Sequence, residues 1–133
     1  MLSVLLQKQH IISMATQQFT ELLVWQKAHE FVLLVYAYTN KFPNEEKFGL
    51  TSQFRRAAVS IAANIAEGYK KVGLPDKAKF LNISQGSIEE CQYYLILAKD
   101  LNYGENFKLT DLLVEVSKMV DSYRTKILNS IQK

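Results

Sequence analysis

The chain has 133 residues, 48% hydrophobic and 22% charged, with five glycines, two prolines and one cysteine. This describes one globular, helix-rich domain and excludes a disordered or fibrous chain; the lone Cys91 rules out an internal disulfide and suits a reducing compartment. A net charge of +3 permits an acidic or nucleic-acid partner without requiring one.

Residues 1–17 read as an N-terminal extension and residues 18–133 as the folded domain. The apolar pieces of "MLSVLLQKQHIISMATQQ" are split by Gln7, Lys8, Gln9 and His10, leaving no apolar run of signal-peptide length. Either Met14 is expected to be the native start, or residues 1–13 are expected to be dispensable. No later window reaches the roughly 18 uninterrupted apolar residues of a membrane span, because Gln26, Lys27, His29 and Glu30 break the best candidate. A soluble, cytoplasmic protein is expected.

Three breaks follow, "FPNEEKFG", "VGLP" and "NYGENFK". They leave four helix-length segments at about residues 19–41, 50–71, 75–101 and 109–131. Pro75 suits a first helical turn, Gly104 a position just past a helix end, and Thr110 an N-cap. Short connections make successive helices antiparallel, so the expected fold is an all-α, up-and-down four-helix bundle.

In the first segment Trp25, Ala28, Phe31, Val32, Val35 and Phe42 form one apolar stripe, while Leu22, Leu23, Leu33, Leu34, Ala37 and Tyr38 cover the opposite side. In the second, Leu50, Phe54, Ala58, Ile61 and Ile65 centre the core face, and Val59, Ala63 and Ala66 widen it. Two apolar sides exceed what a lone bundle buries. Leu33, Leu34, Ala37, Tyr38, Val59, Ala63 and Ala66 are therefore expected at a subunit interface; the alternative is that the surplus lies under the N-terminal segment or is ordinary exposed surface. Leu112, Val116, Met119, Tyr123 and Ile127 give the last segment a single apolar face.

The second helix also carries a narrow polar line, Gln53, Arg56, Ser60, Asn64, Glu67 and Lys71, expected on the side away from the core. A solvated face, oligomer contacts and a binding surface all fit that line. Serine and asparagine compete for backbone hydrogen bonds inside helices, which points to specific partners. Between Lys47 and Lys79 seven basic residues face two acidic ones, a balance of +5 against −2 for the rest of the chain. Arg55, Arg56, Lys70, Lys71, Lys77 and Lys79 are the candidate phosphate contacts, and Glu67, Glu45 and Glu46 the expected partners of the arginines.

Catalytic patterns fail on inspection. "GYKKVG" lacks the Lys-Ser/Thr ending of a phosphate-binding loop and follows a helix. His10 and His29 lack metal-ligand spacing, and no Glu-x-x-His pair exists for a di-iron site. Adjacent Glu89 and Glu90 diverge around a helix rather than face one substrate. Cys91 reads as a buried thiol. No enzyme activity, cofactor, metal or small-molecule substrate is expected.

The segments "VWQKAHEF", "FPNEEKFGLTSQFRRAAVSIAANIAEGYKK" and "KFLNISQGSIEE" resemble the bacterial four-helix-bundle proteins of 23S ribosomal RNA gene intervening sequences, over about residues 19–131. That family has no well-established biochemical activity. Its members are similar in fold to the accessory protein of diversity-generating retroelements, a basic pentameric ring that engages nucleic acid and a reverse transcriptase. The resemblance implies a homopentameric ring and an RNA or RNA-protein partner. By position its motif falls on Gln53, Arg55, Arg56, Ser60, Asn64, Glu67, Gly68 and Gly86. "KKVGLPDKAKF" departs from the family's Arg-rich turn, and Ala62 stands where proline is common. Two functions follow: an RNA-binding accessory protein, or an oligomeric scaffold whose arginines serve subunit contacts.

Overall fold

A computed structural model describes residues 16–132; the expectations about Met14 and residues 1–13 lie outside that range. Four helices follow one another: α1 (Leu23–Thr39), α2 (Leu50–Lys70), α3 (Leu74–Asp100) and α4 (Phe107–Ile131). Short 3-10 turns at Phe19–Glu21 and Asn44–Glu46 precede α1 and α2. Each helix runs antiparallel to its neighbours. Arg55 near the start of α2 reaches Thr39 at the end of α1, Phe54 meets Tyr94 late in α3, and Arg124 late in α4 reaches Ala78 early in α3.

Burial follows the apolar stripes. Ala28, Phe31, Val32, Val35 and Phe42 are buried, as are Leu50, Phe54, Ala58, Ile61 and Ile65 on α2 and Leu112, Val116 and Ile127 on α4. Each large side chain removed from water contributes roughly 1.5–3 kcal/mol before chain entropy is counted, so this continuous core holds the four helices together. Tyr38, expected at a subunit interface, is instead buried in that core. It turns inward because its hydroxyl donates to the Gly104 carbonyl at 2.6 Å while its ring packs edge-on to Phe42 at 5.1 Å.

Loop chemistry explains the ends. Pro75 lies in the first turn of α3. The α4 cap is Asn106 rather than Thr110: its side chain accepts from the Leu109 amide at 3.0 Å, and Thr110, already inside the helix, donates back to the Asn106 carbonyl at 3.2 Å. Glu46 Oε1 accepts from the Leu50 amide at 3.0 Å and its Oε2 accepts from the Tyr103 hydroxyl at 2.7 Å, so one carboxylate caps α2 and ties the α1–α2 loop to the α3–α4 loop. Gly49 makes room for it, since a Cβ there would lie 2.8 Å from Glu46 Oε1. Gly104 adopts φ 111°, a conformation open to glycine and costly for other residues. At the opposite end Tyr69 donates to the Thr16 carbonyl at 2.7 Å, and the Gln17 amide donates to Glu21. Thr16 and Gln17 are thus attached to the bundle although the sequence places them in the extension.

Candidate nucleic-acid interface

The centre of the polar line on α2 does not face away from the core. Ser60 and Asn64 are half-buried, Ser60 bonded to Ser87 on α3 and Asn64 bonded back to Ser60. The Ser87 hydroxyl donates to Ser60 Oγ at 2.8 Å, Asn64 Nδ2 donates to the Ser60 carbonyl at 2.8 Å and to its hydroxyl at 3.0 Å, and buried Ser84 donates to the Ile61 carbonyl at 2.9 Å. Small hydroxyl side chains at this seam let two helices approach while leaving no buried side-chain polar atom unpaired among the described residues. That satisfies the requirement on groups removed from water. Gly68 serves the same approach: a Cβ there would meet Phe80 Cβ at 3.1 Å. Gln53, Arg56 and Glu67, also on the line, are exposed.

Arg55 and Arg56 have different roles. Arg55 Nε donates to Thr39 Oγ1 at 2.8 Å and its terminal nitrogen to the Tyr36 carbonyl at 3.3 Å, with the guanidinium 4.5 Å from the Tyr36 ring centre. It clamps the end of α1 from α2, adding to the Asn40 amide that already donates to the Tyr36 carbonyl at 3.1 Å. Glu67, Glu45 and Glu46, the partners expected from sequence, are not the ones it meets. Arg56 is exposed, with no carboxylate partner among the described residues.

The lysines divide likewise. Lys77 donates to the Tyr69 carbonyl at 2.6 Å and the Gly68 carbonyl at 3.4 Å, closing the end of α2, and burial lowers its pKa. It is a capping residue rather than an open phosphate contact. Lys71 is half-buried with its ammonium 4.9 Å from the Phe80 ring centre. Lys70 and Lys79 are exposed without carboxylate partners among the described residues. Of the six candidates, Arg56, Lys70 and Lys79 present open charge, with Lys71 beside them.

The remaining apolar set lies on the α1–α2 side. Leu33 is 57% exposed and Val59 42% exposed; Ala37 and Ala63 are exposed, Ala66 is half-buried, and Leu34 packs partly against the core. Gly86 is exposed with nothing within 4 Å of a Cβ built on it, so no contact inside the subunit accounts for a glycine there. His29 stacks on Trp25 with ring centres 4.9 Å apart. Cys91 is buried, which pushes its thiol pKa well up, with Glu90 adding to the shift. Among the described residues no group of three or more His, Cys, Asp or Glu side chains could hold a metal, and no helix is long and apolar enough to cross a membrane.

Sequence reasoning missed the Glu46 and Asn106 caps and the Arg55 clamp. An asparagine three residues before Leu109 was a readable signal for the Asn106 cap. The side chains that Arg55 and Lys77 meet depend on helix rotation, which one strand of sequence does not display.

These observations define a four-helix bundle with a serine-lined α2–α3 seam and three exposed cations, two on α2 and one on α3. The profile of the 23S rRNA-intervening sequence protein family matches residues 20–122. The chain belongs to that family. A solved structure titled as a protein with unknown function from the S23 ribosomal protein family of Bacteroides thetaiotaomicron is similar, at TM-score 0.69 and 26% identity over 77% of this chain and 95% of that one. No curated protein matches the chain.

Proposed function

We propose that the protein is a cytoplasmic, non-enzymatic accessory protein that assembles as a homopentameric ring and binds RNA through backbone phosphates. The observation that carries this reading is the exposed trio Arg56, Lys70 and Lys79, free of carboxylate partners among the described residues in a chain whose other segments are net negative. Open cations repeated around a ring would multiply counterion release on binding. The family's description refers to a 23S rRNA-intervening sequence, which supports RNA as the partner. Exposed Leu33, Ala37, Val59 and Ala63 support subunit contacts, since apolar patches of this kind mark interaction surfaces.

An electrophoretic binding assay with structured RNA at two salt concentrations tests the proposal. The parent should bind more weakly at higher salt. Replacing Arg56, Lys70 and Lys79 by glutamine should weaken binding to all sequences and reduce the salt slope by roughly 0.7–0.9 per contact removed. Salt-insensitive binding, or none, would leave the scaffold reading, in which the same surfaces serve protein contacts alone.

A further inference from the structure

On the opposite side of the bundle from the α1–α2 face, a cleft of about 340 Å³ runs between the second half of α3 and the first half of α4. Its volume is at the small end of the range for ligand sites, which in bundles occur between helices. Buried Ile88 and Leu113 floor it. Ile96, Val114 and Phe107 wall it, and all three are exposed, Phe107 at 71%. No contact inside the subunit accounts for that exposure, and filling the cleft would continue the core outward.

Its two ends differ electrically. At the loop end Lys99 is matched by Glu105 at 3.4 Å. At the far end Lys118 has no carboxylate partner among the described residues, and Glu115 is paired with Lys27 at 3.6 Å. Phe107 and Lys118 are eleven positions apart on α4, about 16 Å at the helical rise. The cleft therefore offers an apolar trough closed by one unmatched cation.

We propose that the α3–α4 cleft is a binding site for a small amphipathic monoanion, an apolar body lying over Ile88 and Leu113 with its carboxylate on Lys118. Apolar burial supplies the affinity, and the charge-assisted bond to the ammonium sets the ligand's direction. This site is separate from the phosphate-binding trio and does not depend on it.

Decanoate and decan-1-ol are the probes, each titrated into the full chain by displacement of 8-anilinonaphthalene-1-sulfonate fluorescence. Decanoate should saturate one site per subunit. Val114→Glu, at a half-exposed position that tolerates charge, should abolish both ligands, with circular dichroism reporting an intact fold. Lys118→Gln should weaken decanoate roughly tenfold and leave decan-1-ol unchanged, while Lys41→Gln should change neither. Loss of both ligands equally in Lys118→Gln, or of neither, would overturn the assignment. So would the absence of saturable binding, the outcome expected if another copy of the chain covers the cleft.

Discussion

Arg55 and Arg56 are neighbours in sequence with different environments, and mutation separates them. Arg55→Ala removes the bonds to Thr39 and the Tyr36 carbonyl and the contact with the Tyr36 ring. It should lower subunit stability by about 1 kcal/mol, read as a reduced midpoint in urea. Arg56→Ala should leave that midpoint in place and weaken RNA binding. Glu46 adds a pH signature. The Leu50 amide and then the Tyr103 hydroxyl hold its carboxyl below the ordinary value of 4.5. A depressed folded-state pKa gives stabilisation that is present above 4.5 and lost as pH falls through the folded value. Thermal melts between pH 6 and 3 should show this loss in the parent, and Glu46→Gln should flatten that part of the profile.

At the scale of the helix, Gly68 at the α2–α3 seam and exposed Gly86 on α3 set packing against helix propensity. Gly68→Ala gains about 1 kcal/mol of helix propensity but drives a methyl to 3.1 Å from Phe80 Cβ, and the overpacking should leave a net loss of about 1 kcal/mol. Gly86→Ala meets nothing within 4 Å and should stabilise the isolated subunit by about 1 kcal/mol. Denaturant titration of both variants decides whether the same chemical change has opposite signs. The helices were legible in the sequence because Pro43, Gly49, Pro75 and Gly104 interrupt otherwise regular apolar spacing. The inward positions Phe31, Phe54, Ile61 and Val116 were legible for the same reason. Ser60 and Asn64 were not, since a polar side chain at a helix edge turns to solvent or to a neighbour according to what that neighbour offers, and here α3 offers Ser87. Of the candidate interface, the existence of a basic segment was readable. Which of its cations were already committed, as Lys77 is to the end of α2, was not.

For the whole molecule, the exposed α1–α2 face allows folding to be measured apart from any association of copies. Ala63 is exposed in the subunit, so Ala63→Glu should preserve helical content and the unfolding midpoint of the subunit. If this face joins subunits, the variant buries an unpaired charge there and should shift the light-scattering mass toward the monomer. An unchanged mass would remove the face from the assembly, and a parent that is itself monomeric would remove the ring.

The ties between the two loops also bear on how quickly the bundle forms and comes apart. Tyr38 and Gly104 are 66 residues apart, and Glu46 and Tyr103 are 57, whereas the α2–α3 hairpin closes through the short Lys71–Gly73 turn. Local pairings cost less loop entropy, so the hairpin should assemble early and the distant ties late. Tyr103→Phe, which removes one late tie, should then raise the unfolding rate and leave the folding rate nearly unchanged, while Gly68→Ala at the hairpin should slow folding. Stopped-flow measurements of both limbs would reverse this order if Tyr103→Phe slowed folding instead.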